Sequence, residues 1–453
     1  MSDSKGPEGP LSLKQLQSEV RDGTIESVVL ALVDMQGRLM GKRVQSDYFV
    51  ERAEDTIDVC SSLLTLDMES DTTPGYTVSS IDLGYPDFPL HPDLATLRRM
   101  PWHEATALVL TDPHWEDGTP VAESPRQILR HQVERAQALG YEPMMSSELE
   151  FFVCRETYDQ VHDGGYLQIT PAGRYVTDGH LLAPGFDEAF IRQLRVAMRG
   201  AGIPVEASKA EAWPGQHEIT FRYGDPLTVA DNHVIYKHGA KEIADQNGRS
   251  ITFMAKPDHT WIGSSCHVHS SLWQDGRNVF EGESEVFRHY LAGQVAYIAE
   301  LAIFVAPSVN SYKRFVGKGT WAGNTVTWAH DNRTTGFRVV GRGNALRTEA
   351  RVPGADVNPH LAFAALLAAG LHGIENELEL PPPYEGNAYE LEDAPRFPRT
   401  LREAVAALEA GSMARAAFGD AVIDHYLNYA RAEQRLFDGV VTDYERQRMF
   451  ERG

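Results

Sequence analysis

Residues 146 to 152 read SSELEFF, an apolar strand pattern broken by two acids. Side chains on a strand alternate between faces, so Glu148 and Glu150 share one face while Leu149 and Phe151 occupy the other. Two rises of ~3.3 Å set the two acids about 6.6 Å apart. At an effective dielectric of ~20 their mutual repulsion costs roughly 2.5 kcal/mol if both ionise. Such a strand belongs in a sheet with one face on a core and the other either wet or built around a cation. A cation needs further ligands, and the rest of the chain has to supply them.

The 453-residue chain can bury a large core and predicts two or more domains. LSLKQLQSEV (11–20) has helical spacing, and VVLALVDMQGRLMGKRV (28–44) reads as two strands joined at Gln36-Gly37, a small α+β unit. A loop-rich stretch over about 70–95 precedes a strand in ATALVLTDPHW (105–115), and the spacing places a domain boundary near residue 110. A second unit opens with the helix SPRQILRHQVERAQALG, with proline at its first turn and glycine at its end, leading into SSELEFF. Strands follow in GQHEITFRY, ITFMAK and SSCHVHSSLW, with helices in DNHVIYKHGAKEIADQNG and NPHLAFAALLAAGLHGIENEL. PPPYEGNAYELEDAP is expected as an exposed connection.

Candidate ligands recur along the second unit. Glu211 and Glu218 end EAWPGQHE, where a Pro-Gly turn can bring them together. His267 and His269 in SSCHVHSS share one strand face. RTEAR puts Glu349 between Arg347 and Arg351, with all three on one side of an extended segment; an ion-pair ladder would give the same pattern. Carboxylates with one imidazole and no thiolate suit Mg²⁺ or Mn²⁺ better than zinc. The cysteines Cys60, Cys154 and Cys266 are too scattered for a disulfide framework and read as reduced core residues.

Lys and Arg total 42 against 64 Asp and Glu, a formal charge of -22 that repels nucleic acid and anionic membranes. One region departs from this: Arg314, Arg333, Arg338, Arg342, Arg347 and Arg351 fall in one short stretch. Arginine forks match carboxylate and phosphate oxygens, and several around a divalent cation make a phosphoryl-transfer site. The chain has no GxxxxGK[ST] loop, which excludes a P-loop. The polar N-terminal residues and the absence of a long apolar run predict a cytoplasmic protein.

Taken in order, SELEFF, EAWPGQHE, GSSCHVHSSLW, NSYKRF, NRTTGFR and RTEARVPGADVNPHLAFAALLAAGL resemble the glutamine synthetase family, over essentially the whole catalytic part and more weakly before it. The resemblance implies an α+β protein: an N-terminal β-grasp domain (1–110), a C-terminal catalytic domain (111–453), and twelve subunits in two hexameric rings with active sites between neighbours. It implies ATP and two Mg²⁺ or Mn²⁺, one metal on Glu150, Glu211 and Glu218 and the other on Glu148, His267 and Glu349. Arg314 resembles the arginine on the α-carboxylate of glutamate and Arg351 the one at its γ-carboxylate. Arg333, Arg338 and Arg347 resemble arginines on the ATP phosphates, with Tyr223, His269 and Ser271 near the nucleotide. Tyr389 resembles the tyrosine that some bacterial members adenylylate.

Three positions depart from the family pattern. The flap KRFVGKGTWAGN has Thr320 and Trp321 where an acid helps bind ammonium. IDVCSSLL has Val59 where a neighbouring subunit's aspartate would fall, with Asp58 displaced by one, and Ile262 replaces the asparagine before Gly263. Removing anions from a cation site weakens ammonium binding and leaves room for a carbon substituent. These residues resemble the γ-glutamyl-amine ligase branch: L-glutamate, ATP and a primary amine as substrates, with a small amine such as ethanolamine favoured and a polyamine or aromatic amine open. The rival readings are an ammonia-dependent glutamine synthetase and a non-catalytic nitrogen sensor.

Overall fold

In the computed structural model, residues 9–182, 184–316, 322–323, 325–391 and 393–453 are described, with 184–186 described by backbone alone. Strand β1 (Ser27–Val33) turns at Asp34, whose carboxylate accepts from the Gln36 and Arg38 amides, into β2 (Leu39–Gln45). With β3 (Ile57–Cys60), β4 (Asp87–Pro92), β5 (Arg98–Arg99) and β6 (Thr106–Pro113) they form a sheet ordered β2-β1-β6-β4-β3, with β5 on β6. Only β1 and β6 run parallel. The boundary expected near 110 falls inside β6. Strand β4 lies within the stretch expected as loop, because the prolines in DFPLHP mask an extended pattern.

The second sheet is built on the long strand β7 (Glu142–Cys154). Around it stand β8 (Val205–Ala210), β9 (Gln216–Phe221), β10 (Ser250–Thr252), β11 (Cys266–Gln274), β12 (Arg277–Asn278), β13 (Trp328–His330), β14 (Phe337–Val340) and β15 (Arg347–Ala350). Their order is β13-β14-β15-β11-β7-β9-β8, with β10 also on β7 and β12 on β11. ITFMAK contributes only two residues of strand, Ile251 and Thr252, since its last part leaves the sheet.

Leu149, Phe151 and Val153 of β7 enter the main core, so Glu148 and Glu150 face the other way. Helices Pro125–Ala138 and Pro226–Gln246 pack on β7. Helix Pro359–Glu375 is buried along nearly its whole length, capped by Asn358 with proline at its first turn. A Cβ on Gly293 of the neighbouring helix would lie 2.0 Å from the Ala369 carbonyl, so the two backbones meet through glycine.

A buried polar network ties the two sheets. Arg126, 1% exposed, donates to Asp231 (2.9 Å), Asp112 (2.6 Å) and Asp93 (2.9 Å), and His360 lies 2.8 Å from Asp231. The Asn358 amide donates to the Asp34 carbonyl at 2.9 Å. Among the described residues no helix is long and apolar enough to cross a membrane.

Candidate active site

Strand register assembles the acidic face. Glu150 pairs with Glu218 across β7 and β9, Glu148 with His267 across β7 and β11, and His269 with Glu349 across β11 and β15. Arg338 on β14 stands beside Glu349. Two groups of potential ligand atoms result, each within 4.8 Å: Glu148 with His267 and Glu349, and Glu150 with Glu218 and His267. The pattern E-x-E opposite H-x-H thus becomes one site, with His267 common to both groups.

The first group brings together the three residues expected from sequence. The second brings together Glu150 and Glu218 of the other expected set, with His267; the third residue of that set, Glu211, has its carboxylate 2.7 Å from Lys209 Nζ. Lys209 also pairs with Glu218 in register, so the cation sits at the edge of the acidic face.

The electrostatics divide the acids. Burial, then the neighbouring Glu211 charge, pushes Glu150 up to about 8. Burial, with Glu148, Glu211 and Glu150 around it, pushes Glu218 up to about 9. Burial would also raise Glu148, but bonds from His267 and His269 outweigh it and hold it well below the carboxylate range. Burial raises Glu349 too, and His267, Arg351, His269 and Arg338 more than offset it. Burial, then Arg351, lowers His267 to about 4, so its imidazole is neutral. Its Nδ1 lies 3.3 Å from Glu148, while its Nε2 is buried and without a partner among the described residues. A neutral imidazole with an orphaned nitrogen among carboxylates that resist ionising together fits a divalent cation.

Arginines line the same face. Arg338 donates to Glu349 at 2.8 Å and also pairs with Asp331, and Arg351 pairs with Glu349. Arg347 Nε donates to His269 Nδ1 at 3.1 Å. Arg333 is exposed, and its charge acts on Asp331. Arg314, 1% exposed, donates to the Ser265 hydroxyl (2.9 Å) and to the Val352 carbonyl. Gly263 permits this approach, since a Cβ there would lie 2.3 Å from Arg314 Cγ.

Beside the acids lies a cleft of about 570 Å³ reached by Glu148, His269, Ser271, Arg347 and Tyr223. Tyr223 is 61% exposed and stacks on Trp273, with ring centroids 6.2 Å apart and planes 18° apart. The Trp273 indole donates to Ser271 at 3.0 Å. Trp273 stood in the SSLW motif without a role from sequence, as did Gln216 in EAWPGQHE. Gln216 bonds Glu150 (3.3 Å) and the Gly263 carbonyl (3.0 Å), while the Ser265 amide donates to Glu150 at 2.7 Å. These supports had a signal only in their place within the motifs.

One expectation is corrected. Val59, read as facing the amine, is 3% exposed in a core with Leu32, Val78 and Phe88; strand alternation turns Asp58 outward instead. Tyr389 lies in a connection that is largely exposed, as expected, but its own ring is half-buried with the hydroxyl turned in. Thr320 and Trp321 lie outside the described residues.

The description "Glutamine synthetase, catalytic domain" matches residues 122–449. A Streptomyces coelicolor protein named gamma-glutamylethanolamide synthetase GlnA4 is 50% identical over 448 residues, covering 98% of this chain and 96% of its own. A Pseudomonas glutamate--isopropylamine ligase is 36% identical, covering 97% of this chain and 98% of its own. The solved structure titled "GmaS/ADP complex-Conformation 1" superposes with a TM-score of 0.82 at 29% identity, covering 96% of this chain and 99% of that one.

Proposed function

The chain belongs to the glutamine synthetase family, and from that premise we propose that it is an ATP-dependent carbon–nitrogen ligase joining the γ-carboxylate of L-glutamate to a primary amine. The observation that carries this reading is the convergence, on one sheet face, of a divalent-cation ligand set, a row of arginines and an aromatic-walled cleft. The relatives' names, both glutamate–amine ligations, support a small amine such as ethanolamine as the preferred acceptor.

Glu148, His267 and Glu349 would hold one Mg²⁺ or Mn²⁺. Glu150 and Glu218 would hold the other, joined by Glu211 on release from Lys209. When bound, these ions would neutralise phosphate charge and orient the transferred group. Arg333, Arg338 and Arg347 bind the ATP phosphates, and Tyr223 and Trp273 stack the adenine over His269 and Ser271. Arg314 holds the α-carboxylate, with the Gly263 backbone near the amino group, and Arg351 holds the γ-carboxylate.

A carboxylate and an amine do not condense usefully at neutral pH, so the γ-carboxylate oxygen first attacks the γ-phosphorus of ATP and ADP leaves. The neutral amine then attacks the acyl carbon of γ-glutamyl phosphate. The carbon–oxygen bond breaks, phosphate departs with its electron pair, and the nitrogen loses a proton. Arg351 stabilises the charge that gathers on the acyl oxygens in both steps. Without an acid at Thr320 and Trp321, ammonium has a poor binding site and a substituted amine has room.

The same reading gives residues 1–110 a β-grasp domain and 111–453 the catalytic domain. It gives the assembly as a dodecamer of two rings, to be read by light scattering.

The test is phosphate release from ATP with Mg²⁺ and L-glutamate across ammonium, ethanolamine, alkylamines, putrescine, spermine and aniline. Strong stimulation by one organic amine, weak stimulation by ammonium and a γ-glutamylamide of matching mass are expected. Dominance by ammonium would make the protein a glutamine synthetase, and silence throughout would leave an amine outside the panel or the sensor reading.

A further inference from the structure

Strand β8 ends the second sheet, and it carries a positive charge into the acidic row. Register pairs Glu150 with Glu218 across β7 and β9, and Glu218 with Lys209 across β9 and β8, so the three side chains stand in line on one face. Beyond β8 the Glu211 amide still donates to the Gln216 carbonyl at 2.9 Å, which continues the alternation. Ala210 is therefore turned into the core, while Lys209 and Glu211 share the acidic face. Lys209 Nζ lies 2.7 Å from a Glu211 carboxylate oxygen and 3.5 Å from one of Asp178. The lysine side chain is 47% exposed and that of Glu211 13%, so the ammonium has open space to swing through and the carboxylate does not.

Asp178 stands on the outer side of the lysine, on a segment held to β8 by the Gly179 amide, which donates to the Ala210 carbonyl at 3.5 Å. A lysine ammonium is a point charge on a flexible four-carbon stem and stays protonated well above neutral pH. It attracts a carboxylate but repels a divalent cation bound to the same carboxylate. Lys209 and a cation on Glu150 and Glu218 therefore compete for Glu211. Asp178 offers the displaced ammonium a second anion within a small movement of its stem.

We propose that Lys209 is a positioning residue that controls loading of this cation site: its ammonium holds Glu211 before the cation binds and passes to Asp178 when the cation takes Glu211. This rests on the proposed function only in taking a divalent cation as the ligand of Glu150 and Glu218. The exchange relieves the repulsion among the acids beforehand, at a cost in cation affinity.

The test is Mn²⁺ binding without nucleotide or substrate, followed by calorimetry and by the electron paramagnetic resonance of the free ion. Wild-type protein is compared with Lys209→Met, Lys209→Arg, Asp178→Asn and the double variant Lys209→Met with Asp178→Asn. Lys209→Met keeps the stem and removes the charge, so one binding step should tighten by about tenfold or more. Lys209→Arg keeps the charge and should stay within about threefold of wild type. Asp178→Asn should weaken the same step about threefold, the worth of an exposed ion pair, and should have no effect once Lys209 is methionine. Unchanged or weaker Mn²⁺ binding by Lys209→Met would overturn the competition. An equal effect of Asp178→Asn with and without the lysine would overturn the transfer, since Asp178 would then act only through the general field. Failure of the wild-type protein to bind Mn²⁺ would instead sink the cation reading on which the proposal rests.

Discussion

Removing the cation should make the protein less stable as pH rises, and Glu218 sets the size of the effect. Its carboxyl moves from an ordinary value of 4.5 to about 9 in the fold, driven first by burial and then by three neighbouring glutamates. Between those two values the folded state keeps a proton that the unfolded chain has lost, so stability is full below pH 4.5 and drains away up to pH 9. The slope is about 1.4 kcal/mol per pH unit, or roughly 3 kcal/mol lost by pH 7 from this group. Glu150, raised to about 8, adds to the slope in the same direction. At ~2.1 cal/mol/K per residue the 453-residue chain unfolds with an entropy near 1 kcal/mol/K, so 3 kcal/mol moves Tm by about 3 °C. A bound divalent cation favours the ionised carboxylates, so the Mg²⁺-induced rise in Tm should grow from pH 5 to pH 8. Metal binding at pH 7 should release between about one and two protons, read by calorimetry in buffers of different ionisation enthalpy. Glu218→Gln should flatten the metal-free pH slope and shrink the Mg²⁺ shift. A metal-free Tm that does not change with pH, with a constant Mg²⁺ shift, would refute the argument.

Further outcomes follow from single contacts. Gly263→Ala drives a methyl against Arg314 Cγ at 2.3 Å, and glutamate KM should rise at least about tenfold while the Mg²⁺ shift in Tm is retained. Trp273→Ala removes the partner stacked on Tyr223, so KM for ATP should rise about tenfold with glutamate binding unaltered in calorimetry. Arg126→Met leaves the buried Asp231 and the nearly buried Asp112 without their shared cation and should cost about 3–5 kcal/mol in urea unfolding, with the site's metal affinity unchanged.

Much of the site could be read locally, because side-chain direction along a strand depends only on the strand. SSELEFF and SSCHVHSS announced their polar faces, and Pro and Gly marked the ends of the helix before β7. The alternation that predicted Glu148 and Glu150 on one face also holds in β3, where it buries Val59 and exposes Asp58. Motif alignment aims Val59 at the amine, whereas strand alternation turns it into the core.

What the sequence by itself determined is which residue types share a face and which chemistry they suit: acids, two histidines and arginines for a cation and an anion together. Tertiary structure decided how the strands slide against one another, placing Glu150 opposite Glu218 and His269 opposite Glu349. It decided that the Glu211 carboxylate lies beside Lys209 and that His267 lies within reach of both groups of acids. It also decided that a loop more than thirty residues beyond Arg351 turns the Tyr389 hydroxyl inward, where it is buried. Register and loop docking depend on contacts between segments far apart in the chain, and no local periodicity encodes them, since a slip of one residue leaves each strand's own pattern intact while moving every partner.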